Sequence, residues 1–316
     1  MAFQLLHRPF GLLTEYVILN EKTGAYVGIL PAHGAIVRQL ALPHGDNLVQ
    51  VIRAPESQQA LIADETYAGA HLYPFPSRIR HGIYTFEGEA FTLPMNESRQ
   101  NNAIHGFVAR QAFELFNQEM TETAGLLTLR YLHDGSYEGY PFPFEFRVTY
   151  TLSEAGSLSV TYESQNTGTR PAPVAYGWHP YFTLQEPVDA LTISLPVSKQ
   201  ILLDENVLPY GEEMFPSRGE ISLRERNLDS AYVVQGSPEG GATTVLRSPR
   251  LGLQLNVWQE TGPGKFNYLV VYTPPGRSSI AIEPLTANVN AFNNGQGLIV
   301  LQPNEVARGT IRVSLS

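Results

Sequence analysis

The stretch Phe144-Glu145-Phe146-Arg147-Val148-Thr149-Tyr150-Thr151-Leu152-Ser153-Glu154-Ala155-Gly156-Ser157-Leu158-Ser159-Val160-Thr161-Tyr162 decides the fold class. In its first half Phe144, Phe146, Val148, Tyr150 and Leu152 point one way, and Glu145, Arg147, Thr149 and Thr151 point the other. After the four-residue turn 153–156, Leu158, Val160 and Tyr162 alternate with Ser157, Ser159 and Thr161. Two period-two runs joined by a short turn predict an antiparallel hairpin with one buried face. The same alternation recurs at 15–19, 83–93, 126–132, 243–247, 251–258 and 268–273, and at 310–315, where Ile311, Val313 and Leu315 form the apolar face. Helical patterning is scarce. The segment 55–67, with Pro55 at its start and apolar Leu61 and Ile62, accommodates one short helix at most.

Composition points the same way. Charged residues are 16% of the 316, against about 25% in typical globular chains, while 43% are hydrophobic, enough for a real core. With 27 Gly, 23 Pro, 15 Phe and 16 Tyr, the chain favours short strands and turns over long helices. Length alone suggests two domains at about 150 residues each, but an all-β domain often runs to about 250. No linker, low-complexity segment or repeat divides the chain, so residues 1–316 are expected to form a single all-β, antiparallel domain. A sheet of this size must pack as two layers or close on itself.

The net charge of −9 opposes a nucleic-acid partner, which calls for a basic surplus. The absence of cysteine removes disulfides, zinc–thiolate sites, iron–sulfur clusters and thiol nucleophiles together. No run of 18 apolar residues is present to span a membrane, and residues 1–10 do not resemble a signal peptide, which makes the cytoplasm the default location. A Gly-rich phosphate loop is absent, and the only lysines are Lys22, Lys199 and Lys265.

Of the eight histidines, His7, His33, His44 and His133 sit beside Gly, Pro or Asp and are expected in solvated turns. Two others stand between aromatic and small residues: His105 in Asn101-Asn102-Ala103-Ile104-His105-Gly106-Phe107, and His179 in Tyr176-Gly177-Trp178-His179-Pro180-Tyr181-Phe182. Aromatic faces suit the apolar faces of sugars, and glycine permits close approach. Each histidine alone is equally well a core residue paired with a carbonyl. Glu283, in Ile280-Ala281-Ile282-Glu283-Pro284-Leu285-Thr286, ends an apolar strand. Burial there would raise its pKa toward that of a general base, whereas an edge position would leave it an ordinary solvated carboxylate.

Taken together and in order, these segments resemble the aldose 1-epimerases, also called galactose mutarotases. The resemblance is carried by Ser77-Arg78-Ile79, by Asn102-Ala103-Ile104-His105-Gly106 and by Asp134-Gly135 with Gly139-Tyr140-Pro141-Phe142. Further along, His179-Pro180-Tyr181-Phe182, Leu228-Asp229, and Glu283-Pro284-Leu285-Thr286 with Asn290-Ala291-Phe292-Asn293 continue it. It implies a large antiparallel β-sandwich, the galactose mutarotase-like supersandwich, with a sugar cleft on one face. It also implies interconversion of the α and β anomers of an aldose, with Glu283 as base, His179 as acid, and His105 holding or polarising the ring oxygen. Arg78 and Asp229 would bind sugar hydroxyls, Asn102 would contribute, and Trp178 and Tyr181 would be stacking walls. The chemistry needs no metal or other cofactor. The partner implied is a small sugar, and the protein would be a monomer or homodimer.

The chain departs from the family pattern at Ser77, where many members have Asn, at Gly106-Phe107, where Gly-Gly is usual, and around Gly177-Trp178-His179-Pro180. These departures leave the sugar open. Alternatives are a sugar 6-phosphate mutarotase using Arg78, Arg80 and His81 as a basic cluster, and a non-catalytic sugar-binding module. A metal enzyme using His105, His179 and Glu283 as a facial triad is a third.

Overall fold

The computed structural model describes residues 2–216 and 219–316. The hairpin at its centre forms as the alternation predicts. Strands Phe144–Ser153 and Ser157–Asn166 pair antiparallel with Val148 opposite Tyr162 and Tyr150 opposite Val160. Along both strands every second side chain is buried, which is the pattern of one face on a core and one toward solvent. Gly156 closes the turn at φ +71°, donating its N–H to the Ser153 carbonyl.

This hairpin lies inside a nine-stranded antiparallel sheet, flanked on one side by Ala124–His133 and Glu114–Met120. On the other side it continues through Val306–Leu315, Leu253–Glu260 and Gly241–Ser248 to the short strands Thr192–Ser194 and Ile221–Ser222. A second large sheet runs from Pro209–Met214 through Val197–Leu203, Asp229–Val234, Tyr268–Tyr272, Ile280–Leu285 and Gly177–His179 to Ala70–Leu72, with Tyr181–Phe182 also on Ile280–Leu285. A third, of five strands between Phe3 and Gln50, is a simple meander.

One buried apolar cluster joins all three: Val27 and Val37 from the meander, Phe146, Tyr162 and Val257 from the nine-stranded sheet, and Leu269, Ile282 and Trp178 from the second. The architecture is an all-β antiparallel sandwich. Strand Ile280–Leu285 is buried at every position, because it is central in its sheet and covered on both faces.

The departures from the sequence pattern are local. The run 83–93 is a small hairpin, Ile83–Phe86 with Glu89–Thr92, because Glu87 and Gly88 both adopt positive φ and turn the chain. The segment 55–67 yields the helix Gln58–Ile62, capped by Ser57, whose side chain accepts the Ala60 N–H. His133 is not a solvated turn residue. It ends a strand, is buried beside Phe107 and Phe144, and hydrogen-bonds the Tyr140 carbonyl through Nε2. No helix among the described residues is long and apolar enough to cross a membrane.

Candidate active site

The second sheet carries the chemistry. Glu283 lies on Ile280–Leu285 opposite Val270, only 3% exposed. Two strands that pair along this one, Gly177–His179 and Tyr181–Phe182, are separated by Pro180. That arrangement delivers the His179 ring to Glu283, with Nε2 3.4 Å from Oε1. His179 Nδ1 has no hydrogen-bond partner among the described residues. Tyr181 stacks on the imidazole at 5.1 Å between centroids, and its hydroxyl donates to the Thr66 carbonyl.

His105 meets His179 edge-on at 5.3 Å. It is held by a reciprocal pair of bonds with Ser77: the His105 N–H donates to the Ser77 carbonyl at 2.8 Å, and the Ser77 N–H donates to His105 Nδ1 at 3.1 Å. Both residues adopt positive φ, +61° and +55°, a conformation that costs non-glycine residues energy and is common at functional sites. With Nδ1 accepting, neutral His105 carries its proton on Nε2. Gly106 follows at φ +66°, and a Cβ there would lie 2.0 Å from the Tyr73 carbonyl oxygen, so no larger residue fits.

Burial governs the protonation of this group. It holds the His179 imidazole down at about 4 and the His105 imidazole well below its usual range, with the neighbouring His179 and Arg78 adding to the latter. Burial pushes the Glu283 carboxyl well above the usual carboxylate range; Asp229 adds to the rise and Arg78 opposes it. Burial thus disfavours the charged form of both members of the pair in contact, the imidazolium and the carboxylate.

These groups open into a cavity of about 780 Å³, within the usual ~300–1,000 Å³ of small-molecule sites. Arg78, His105, His179, Tyr181, Asp229 and Glu283 all line it. Six candidates scattered over the sequence thus converge. Two do not reach the cavity. Trp178 is 0% exposed, with its indole N–H on the Gly69 carbonyl and its ring against Phe182. Successive strand residues face opposite ways, so a cleft-facing His179 sends Trp178 into the core. Asn102 is likewise fully buried, and its amide donates to Glu97 and to the Asn206 carbonyl.

Several lining residues escaped the sequence patterns. Glu97 grips Arg78, and Tyr67 packs on His105 at 4.8 Å. Tyr272, Arg99 and Arg110 also line the cavity. The basic cluster proposed around Arg78 does not assemble, because Arg80 and His81 are exposed and lie outside the lining. Among the described residues no three His, Asp or Glu converge to hold a metal ion, which leaves the facial-triad alternative without support.

Comparison with known proteins identifies the family. The family model for aldose 1-epimerase matches residues 17–314. An uncharacterized Escherichia coli K12 protein, YihR, is 29% identical over 258 residues, 77% of each chain. The aldose 1-epimerase of the same organism is 28% identical over 227 residues, which cover 70% of this chain and 60% of that enzyme's length. Among solved structures, a galactose mutarotase-like protein from Clostridium acetobutylicum shares the fold with a TM-score of 0.87 at 18% identity, covering 100% of this chain and 99% of its own. The chain belongs to the aldose 1-epimerase family.

Proposed function

We infer that the protein, acting as one domain, interconverts the α and β anomers of a hexose by opening and reclosing the sugar ring. The observation that carries this is the buried contact between His179 and Glu283 at the base of an open cavity. A base takes the proton of the C1 hydroxyl while an acid protonates the ring oxygen as the C1–O5 bond breaks. The open-chain aldehyde then rotates about C1–C2 and closes on its other face with the two roles exchanged.

Glu283 is assigned as the base and His179 as the acid. His105, with Nε2–H free to donate, holds the ring oxygen or a neighbouring hydroxyl. Arg78 and Asp229 bind hydroxyls, the first as a donor fork and the second as an acceptor. Tyr181 supplies an apolar wall beside His179. No step calls for a metal or other cofactor.

Polarimetry on a panel of free aldoses, sugar 6-phosphates and acidic sugars identifies the substrate. Arg99 and Arg110 in the lining are the reason to keep charged sugars in that panel. On the substrate so found, Glu283→Gln and His179→Asn each lower the catalysed rate by about 10²–10⁴-fold with folding intact. Wild-type rates in both variants would refute the assignment. Sugar binding with no catalysed anomerisation in the wild type would favour the binding-module alternative.

A further inference from the structure

Arg78 is held from behind. Its Nε donates to both carboxylate oxygens of Glu97, at 3.0 and 2.9 Å, and its Nη2 donates to Oε1 at 2.8 Å. A guanidinium offers five N–H bonds in one plane. This fork engages two of them and leaves three for the cavity that Arg78 lines.

Glu97 is fixed in its turn. Its Oε2 also accepts from Asn102 Nδ2 at 3.2 Å, and the backbones of the two residues exchange N–H···O bonds at 3.1 and 3.3 Å. Asn102 donates further to the Asn206 carbonyl at 3.2 Å and accepts the His81 N–H at 3.4 Å. Its side chain is thus fully occupied inside the protein. The neighbouring Asn96 clips the same segment to strand Asn102–Ile104, with its side chain accepting the Ile104 N–H at 2.7 Å and donating to the Ile104 carbonyl at 2.9 Å.

We propose that Glu97 is the positioning residue for Arg78, with Asn102 behind it, so that the guanidinium is presented to the sugar already ordered. The proposal rests on Arg78 contacting the sugar, as inferred above. A free arginine side chain loses considerable rotamer freedom on binding, and fixing it beforehand removes that cost from the binding step. The pairing also makes the arginine and its partner net neutral in a site whose His179 and Glu283 are buried.

The test is a mutant cycle read as kcat and KM by polarimetry on glucose and galactose, together with the preferred sugar of the panel. Glu97→Gln keeps the volume but turns an amide donor toward the guanidinium. It is expected to raise KM about tenfold with kcat within about twofold, the pattern of lost uniform binding. Asn102→Ala is expected to raise KM about threefold. Arg78→Met removes the fork, and R78M/E97Q is then expected to match R78M within about twofold, because Glu97 has nothing left to position.

The double variant also leaves no unpaired charge, so it reports even if Glu97→Gln alone folds poorly. The proposal is overturned if Glu97→Gln costs as much in the Arg78→Met background as in the wild type. It is equally overturned if Glu97→Gln lowers kcat at unchanged KM. Wild-type kinetics in Arg78→Met would remove Arg78 from the sugar site and the proposal with it, while the loss in Glu283→Gln would still stand as the measure of the acid–base assignment.

Discussion

His71 is fully enclosed by this fold, and it makes stability depend on pH in a calculable way. Its Nδ1 lies 2.8 Å from the Tyr162 hydroxyl, and its Nε2 lies 2.7 Å from the Tyr150 hydroxyl and 3.2 Å from the Ala35 carbonyl. Burial pushes the imidazole down to about 3 from the ordinary 6.5, against a small opposing effect of the Ala35 carbonyl. Between those values the unfolded chain binds a proton at His71 that the folded chain does not. Stability contributed by neutral His71 is therefore complete above about pH 6.5 and is lost as pH falls. At roughly 1.4 kcal/mol per unit of pKa, the full loss approaches about 5 kcal/mol, of which about 2 kcal/mol has gone by pH 5.

The assay is urea unfolding of the wild type and His71→Gln between pH 7.5 and 5. The variant is less stable at pH 7.5 by about 1–3 kcal/mol, because buried hydroxyls lose a partner. That gap is expected to shrink by about 2 kcal/mol at pH 5, since only the wild type carries the His71 linkage. Other histidines, including buried His105, contribute to both proteins and cancel in the difference. A gap constant to within about 0.5 kcal/mol across this range would refute the reasoning.

Other outcomes follow from the same geometry. Gly106→Ala places a methyl group 2.0 Å from the Tyr73 carbonyl oxygen in a left-handed conformation, so a loss of about 3 kcal/mol or more is expected in thermal melts, with activity falling as His105 is displaced. Trp178→Phe removes the bond to the Gly69 carbonyl and opens space in the core. It should cost about 1–3 kcal/mol of stability, while a KM raised more than a few-fold would show that the indole meets sugar after all. The acid limb of kcat/KM should lie near pH 4, where uptake of a proton at His179 with Glu283 already protonated leaves the pair without a base, and well below the 6.5 of an ordinary histidine. A limb near 6.5 would contradict the burial of that ring.

Much of the fold was legible because burial on a half-covered sheet repeats every two residues, as at 144–152 and 157–162. The meander formed by the first fifty residues was harder to read. Its strands Tyr26–Leu30 and Ile36–His44 are covered on both faces over part of their length, and their apolar runs lose the alternation. His105, His179 and Glu283 were visible as individual anomalies, but nothing local said that they touch. Trp178 and Asn102 were misplaced because proximity in sequence to a cleft residue says little about direction: Trp178 faces away from its strand neighbour His179, and the Asn102 amide is taken up by Glu97 and the Asn206 carbonyl. Glu97 had no signal at all. It lies in an irregular stretch and acquires a role only through a contact with Arg78 across 19 positions.

The proton count of the His179–Glu283 pair connects folding to the proposed reaction. Between about pH 4.5 and 6.5 the unfolded chain carries one proton on these two residues, on the histidine. In the folded, empty site burial disfavours that charged form and favours a proton on Glu283 over one on His179. On the proposed mechanism the cyclic sugar reacts with the ionised form, carboxylate and imidazolium. Taking the C1 proton and releasing one to the ring oxygen leaves carboxyl and neutral imidazole, with the count unchanged. That product state is the one the empty site already favours. Burial therefore biases the pair toward the open-chain aldehyde, the least stable species of the sugar, and hydrogen bonds to the ring form must supply what the ionised pair lacks. Arg78, paired with Glu97 and still offering three N–H bonds, is placed to do so without adding an unbalanced charge.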